Sequence, residues 1–260
     1  MNAKLDTGRV FERIFQIYRE QFTLLIPAAL VLFIPVAILN GLVLTGGGVL
    51  AALIAAAIAI IANYWFQGMV VEAVRDILDG RRDHTVGSLF SSASPFIGKL
   101  FAAGLLAGIG IAIGLILIIV PGLFLLTIWA VIVPAIVIDR SGVLDSFGRS
   151  RQLVRGSGWQ VFGVIVVLFL IQIVVGGALS AIGQAISDSF AGYALADLLG
   201  NVLIVPLSAI AATVMYVELR RLKGEALPED VAGGPAPPAE PPAPPAEPPA
   251  PPAAPEAPAG

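Results

Sequence analysis

Three long stretches of the chain contain no charged residue, and they limit what it can fold into. They cover residues 21–71, 100–138 and 156–187, and a further uncharged run follows at 198–217. A transmembrane helix needs about 20 mostly apolar residues, so each of the first two stretches is long enough for two helices. Charged residues make up 13% of the chain, about half the share typical of soluble domains. The sequence therefore predicts an all-α membrane protein with six transmembrane helices.

The turns between these helices are indicated by glycine and proline. We expect the first turn at 46–48, where three glycines follow one another, and the third and fourth helices to separate at Pro121-Gly122. The fifth helix is expected to begin near Trp159. The sixth is expected from about Leu198 to Val217, after a polar connection that contains Asp197.

The basic residues indicate the orientation of the helices. All 15 Lys and Arg lie in the N-terminal segment or in residues 75–99, 140–155 and 220–223. Cytoplasmic segments of membrane proteins carry an excess of Lys and Arg. This distribution predicts that both termini are cytoplasmic and that the number of spans is even, in agreement with six.

The chain divides into three regions. Residues 1–21 form an amphipathic interfacial helix with Asp6 or Thr7 as N-cap, and residues 22–223 form the six-helix transmembrane domain. Residues 224–260 contain fourteen of the twenty prolines and predict a disordered cytoplasmic tail rich in Pro, Ala and Glu.

A short amphipathic segment precedes each pair of spans. These segments place Phe11, Phe90 and Phe147 in similar positions, and Thr85 is a candidate N-cap for the second. We interpret the architecture as three transmembrane hairpins, each entered from a cytoplasmic interfacial helix. Internal duplication and convergent topology both explain the pattern.

The residues that enzymes and metal sites use are nearly missing from the sequence. The chain has no cysteine and one histidine, His84, which follows Asp83 in a loop. Thiolate chemistry and disulfides are excluded, and a metal site normally needs several ligands. We find no nucleophile paired with a base, no phosphate loop and no nucleic-acid motif. The sequence predicts a protein that is not an enzyme and has no cofactor, no metal and no nucleic-acid partner.

A few polar and small residues interrupt the apolar spans. Amides in spans favour hydrogen bonds between helices, although they are also the groups that line a transport site. These amides are Asn63, Gln67, Gln172 and Asn201. The third span has GxxxG spacings that favour close packing, either within the chain or with a second copy in a homo-oligomer. Its glycines are Gly104, Gly108, Gly110 and Gly114.

The segment 141–156 joins the fourth and fifth spans and carries three arginines. A helical wheel places its apolar side chains on one face, namely Val143, Leu144, Phe147 and Val154. We predict a cytoplasmic surface helix whose Arg149, Arg151 and Arg155 bind anionic lipid headgroups or an acidic partner. Arg151 projects from the apolar side and is expected to reach a phosphate or to pair with Asp139. The alternative is that these arginines only fix the topology.

Residues Pro121 to Trp159 carry a family resemblance. Pro121-Gly122 opens the fourth span, Pro134 lies late in it, and DSFGRSRQLVRGSGW follows. This pattern resembles the bacterial glycerophosphoryl diester phosphodiesterase membrane domain family, and the likeness extends over residues 5–221. The resemblance implies a six-helix domain in the bacterial plasma membrane. Some members are fused to a catalytic domain that needs two histidines and metal-binding carboxylates, and with a single histidine this chain does not carry that chemistry.

Two functions follow from these features. The first is a non-enzymatic integral membrane protein that organises membrane lipids or partner proteins. The second is a small transporter or permease-like component. A polar cleft lined by Asn63, Gln172 or Asn201 would favour transport, whereas a dry bundle would favour the organising role.

Overall fold

The computed structural model describes residues 4–44, 46–78, 84–186 and 190–226, and in these residues every regular element is helical. The predicted tail after residue 226 lies outside the described residues, as does the loop 79–83. The α-helices are α1 (Thr7–Glu20), α2 (Phe22–Leu44), α3 (Gly48–Leu78), α4 (Val86–Ala93), α5 (Ile97–Leu117), α6 (Ile119–Ile128), α7 (Ile132–Ile138), α8 (Val143–Val154), α9 (Gly158–Ile186) and α10 (Phe190–Leu222).

Six helical segments in the described residues are long and apolar enough to cross a membrane, as the sequence predicts. Their mean hydropathies lie between 2.1 and 2.7. The segments are Phe22–Leu44, Gly48–Leu78, Val86–Leu117, Ile119–Ile138, Gly158–Gly183 and Ala191–Leu222. The chain is therefore an all-α, multi-pass membrane protein.

The short helices α1 and α4 begin where the sequence predicts. The carboxylate of Asp6 accepts a hydrogen bond from the backbone N–H of Arg9 at 3.1 Å, which makes Asp6 the N-cap of α1. Thr85 and Ser88 form a capping box at the start of α4. The apolar face of α1 is buried against the bundle, mainly against α10, through Val10, Ile14 and Ile17.

Helix α10 occupies the centre of the bundle and packs against α2, α9, α1 and α3. In its most apolar window 56% of the residues are buried, compared with 11% in the window of α9. Tyr216 of α10 and the pair Phe33 and Phe66 are among the largest fully buried side chains. Few residues of α9 are thus covered by the rest of the bundle.

The turn between α5 and α6 differs slightly from the prediction. The break falls at Ile118, which has an extended backbone, and Pro121 lies in the first turn of α6. Proline is tolerated there because the first N–H groups of a helix have no partner within it. Gly114 and Gly122 let the two helices approach closely, since a Cβ on Gly114 would lie 2.9 Å from the Gly122 Cα.

One predicted polar connection is partly helical instead. Asp197 lies inside α10, where the Asn40 side chain donates a hydrogen bond to its carboxylate at 3.2 Å. Glu72 and Asp76, near the end of α3, are each only 6% exposed. The partner of Asp197 comes from a neighbouring helix and is not revealed by the local sequence.

Candidate functional site

The charged residues of the α7–α8 turn and the end of α10 form an ion-pair network. Asp139, the residue after α7, accepts a hydrogen bond from Arg149 Nε at 2.9 Å and also pairs with Arg220. Arg149 also holds Glu225 in a two-pronged contact, and Arg220 Nε lies 3.6 Å from the same carboxylate. Two acidic and two basic side chains thus join α7, α8 and α10 at one end of the bundle.

The network is partly shielded from water, and its hydrogen bonds shift the pKa values of two of its members. Hydrogen bonding from Arg149 is the main cause that lowers the pKa of Glu225, and hydrogen bonding to Glu225 is the main cause that raises the pKa of Arg149. The side chains of Arg220 and Arg149 are 10% and 22% exposed. Charge-assisted hydrogen bonds at this burial are stronger than exposed surface pairs.

Further contacts tie the segment after α10 to the rest of the network. The Arg220 guanidinium donates to the Tyr216 hydroxyl at 3.0 Å and to the backbone carbonyl of Ala226 at 2.7 Å. Lys223 Nζ donates to the backbone carbonyl of Arg155 at 2.7 Å. The first residues after α10, where the Pro-rich segment begins, are therefore held against the end of α8.

The fourth span is broken between α6 and α7, and Ser150 of α8 bridges the break. Its hydroxyl donates to the carbonyl of Ile128 at 2.8 Å and accepts from the N–H of Val131 at 3.3 Å. These backbone groups lie where the regular helix is interrupted. Ser150 is fully buried, so α8 is packed into the bundle on this side, and Phe147 of α8 contacts the Trp129 ring edge to face at 5.0 Å.

A cavity of about 240 Å³ lies beside this break. Its polar lining comes from Tyr64 and Gln67 of α3, and Trp129 and Ala130 of the broken span form another wall. The Gln67 amide donates to the Asn63 side chain one turn away. The cavity has the features of a small binding site near a helix break, with amide and hydroxyl groups and no charged residue among those that line it.

The four amides predicted as intramembrane polar groups are not brought together. Asn63 and Gln67 bond to each other, and Gln67 lines the cavity. Gln172 lies on the exposed side of α9, and Asn201 donates to the backbone carbonyl of Asp197 at 2.9 Å. The cavity is thus polar through Gln67 and Tyr64, and neither Gln172 nor Asn201 lines it.

The three arginines of α8 and its C-cap differ in their surroundings. Arg149 belongs to the ion-pair network, while Arg151 and Arg155 are exposed. Asp139 pairs with Arg149 and Arg220. The pair of Asp139 with Arg151, one of the two contacts expected for Arg151, is not formed. The buried face of α8 also differs from the helical wheel: Leu144 is 77% exposed, and the buried residues are Ser146, Ser150, Leu153 and Val154.

The glycines of the third span are used mainly within the chain. A Cβ on Gly104 would lie 2.0 Å from the Tyr64 ring, and one on Gly110 would lie 2.9 Å from the Trp129 ring. Gly114 faces α6, whereas a Cβ on Gly108 would meet nothing within 4 Å. Of these four glycines, Gly108 is the one that remains open to another chain.

A second polar cluster lies where α3 approaches α4. Arg75 is 3.5 Å from Glu72, and the backbone N–H of His84 donates to Asp76 at 3.4 Å. The His84 ring contacts the Ser88 hydroxyl at 3.1 Å, so this histidine packs against the start of α4. The described residues contain no group of three or more His, Cys, Asp or Glu that could hold a metal ion.

Sequence reasoning missed Asp139, Arg220, Glu225 and Ser150 as members of one region. Asp139 was noticed as a candidate partner, but Glu225 lies 76 residues from Arg149 in the chain, so no local spacing joins them. The sequence signal for this contact is Glu225, the acidic residue that follows the basic residues 220–223.

Comparisons with protein families, with curated proteins and with solved structures find no match for this chain.

Proposed function

We propose that this chain is a non-enzymatic integral membrane protein of the bacterial plasma membrane that organises membrane lipids or partner proteins at its cytoplasmic face. The observation that carries the proposal is the basic end of the bundle. The ion-pair network fixes α8 and the end of α10, and it leaves Arg151 and Arg155 exposed beside it. A fixed, exposed pair of arginines is suited to bind anionic headgroups or an acidic protein segment.

The orientation we propose has both termini in the cytoplasm. It is supported by the grouping of all 15 Lys and Arg in segments on one side of the predicted spans. We further propose that the successive pairs α2–α3, α5–α6 and α9–α10, whose members pack against each other, are three hairpins that all open toward that side.

Native mass spectrometry of the purified full-length protein tests the role of the basic end. We expect Arg151→Gln with Arg155→Gln to reduce retention of phosphatidylglycerol relative to phosphatidylcholine. Each arginine near an anionic surface contributes about 1 kcal/mol, or about fivefold in affinity. The charge-matched control is Arg19→Gln with Lys99→Gln, which removes two exposed charges elsewhere. Equal losses in both double variants, or no loss in either, would contradict a specific role of α8.

The cavity beside the helix break favours the second candidate, a small transporter or permease-like component. Broken helices and polar groups at membrane depth are typical of transport sites. Water access distinguishes the two functions, and the absence of cysteine makes a single introduced thiol diagnostic. We expect Ala107→Cys, in the cavity wall, to stay unreactive with an impermeant thiol reagent applied from either side. Rapid labelling from one side would favour transport.

A further inference from the structure

A second, larger groove lies on the outside of the bundle between α6 and α9. Its volume is about 600 Å³, which is within the range of roughly 300–1,000 Å³ seen for small-molecule sites. The walls are mainly apolar and include Val120, Leu123 and Phe124 of α6, with Trp159 and Phe162 of α9. Thr127 also lines it, but its hydroxyl already donates to the Leu123 carbonyl at 2.7 Å.

Positive charge lies at the groove and beside it. Lys4 lines it, and in the described part of the chain the structure gives its side chain no hydrogen bond or ion pair. The neighbouring Leu5 is only 5% exposed, so the segment before α1 is anchored in the core and Lys4 is held at the groove. The exposed Arg155 directly precedes Gly156, which lines the same groove.

The polarity of the groove matches one chemical class of occupant. An apolar wall formed by two predicted membrane-spanning segments suits an acyl chain. A lysine at the groove and an arginine beside it suit a phosphate headgroup. An inserted peptide would need partners for its backbone polar groups, and these apolar walls offer few of them. The positive charge selects an anionic occupant, and the apolar walls favour a lipid over a protein segment.

We infer that this groove binds one anionic phospholipid, with its phosphate at Lys4 and Arg155 and an acyl chain along the wall formed by α6 and α9. The inference rests on the proposed function, since it takes this end of α9 as cytoplasmic and names the site at which a lipid would be held. It adds Lys4, which precedes the first helix, to the residues that contact lipid.

Native mass spectrometry of the full-length protein with added phosphatidylglycerol or phosphatidylcholine tests the site. Lys4→Gln should lower the affinity for phosphatidylglycerol about fivefold and leave phosphatidylcholine nearly unchanged. Leu123→Trp narrows the groove and should lower the retention of both lipids. The controls are Lys99→Gln, which removes another exposed lysine, and Ile116→Trp, at an 84% exposed position that does not line the groove.

The outcomes separate this inference from the proposed function. If the wild-type protein prefers phosphatidylglycerol but Lys4→Gln behaves like Lys99→Gln, the groove is not the site while the organising role still stands. A wild-type protein that shows no preference contradicts the lipid-organising role as well. Tight retention of a co-purified protein that Leu123→Trp releases would show that the groove holds a protein and would overturn the lipid assignment.

Discussion

Ser150 replaces backbone partners that the fourth span loses where α6 ends and α7 begins. Its one hydroxyl serves both a carbonyl and an N–H across the break. A buried backbone group that loses its hydrogen bond costs about 1–3 kcal/mol. A side chain of α8 therefore completes the backbone hydrogen bonding of the fourth span.

We expect Ser150→Ala to lower the free energy of unfolding by about 2 kcal/mol, because it leaves both backbone groups without this partner. Ser146→Ala is the matched control. Ser146 is equally buried on α8, but its hydroxyl donates only to Val143 in its own helix. Unfolding of the detergent-solubilised protein in increasing SDS measures both. Equal effects of the two substitutions would show that the bridge across the break contributes nothing.

Glu225 makes the network sensitive to acid. Its pKa is lowered in the folded protein by hydrogen bonding from Arg149. The stabilisation is therefore complete above the ordinary glutamate pKa of 4.5 and is lost as the pH falls through the lower folded value. We expect the melting temperature to drop less between pH 7 and acidic pH in Glu225→Gln than in the wild type.

The control for this pH effect is Glu12→Gln, at an exposed glutamate of α1. It should show the same drop in melting temperature as the wild type. If Glu225→Gln also matches the wild type, the carboxylate does not contribute to stability through the network.

At the scale of the helices, the glycines of the third span differ in what they face. Gly104 and Gly110 make room for aromatic rings of the same chain, and Gly108 faces open space. The predicted homo-oligomer thus depends on a face centred on Gly108, since the rest of the GxxxG pattern is occupied.

We predict that Gly104→Ala destabilises the fold, because its Cβ would lie 2.0 Å from the Tyr64 ring. Gly108→Leu should leave the monomer stable, since the position is open, and should weaken any contact between copies. Thermal unfolding measures the first effect, and crosslinking in membranes followed by gel analysis measures the second. An oligomer unaffected by Gly108→Leu would contradict an interface at this glycine.

The helices were predictable to the extent that their signals are local. Uncharged runs indicated the spans, and Asp6 and Thr85 indicated where α1 and α4 begin, because caps act within one turn. The break after Ile128 has a local signal in Pro134, because a proline lacks the N–H of a regular helix and its ring disfavours a continuous helix in the turn before it. The sequence does not show that Ser150, 22 residues further along the chain, supplies the missing partners.

The site was less predictable for the same reason. Arg149 was identified from its position in a basic segment, but its assignment to lipid ignored Glu225, which is brought close only by the packing of α10 against α8. The exposure of Arg151 and Arg155 is a consequence of the same packing. Charge counts locate a basic end, whereas tertiary contacts decide which arginines remain available.

At the scale of the whole molecule, ion pairs are concentrated at the ends of helices, and exposed apolar side chains lie along α2, α3, α5, α6 and α9. Long exposed apolar faces are unfavourable in water and favourable in a bilayer. The ion-pair network, the exposed arginines of α8 and Lys4 beside the groove all belong to segments that the positive-inside rule assigns to the cytoplasm. The proposed function and the lipid site therefore both depend on the orientation of the chain.

Labelling of single cysteines in intact cells with an impermeant thiol reagent tests this orientation most directly, because the native chain has no cysteine. The account predicts that Val49→Cys and Ile118→Cys, at exposed positions beside the α2–α3 and α5–α6 turns, are labelled from outside. Ser91→Cys and Gln152→Cys, at exposed positions of α4 and α8, should be labelled only after the membrane is permeabilised. The reverse pattern would contradict the cytoplasmic placement of the basic end.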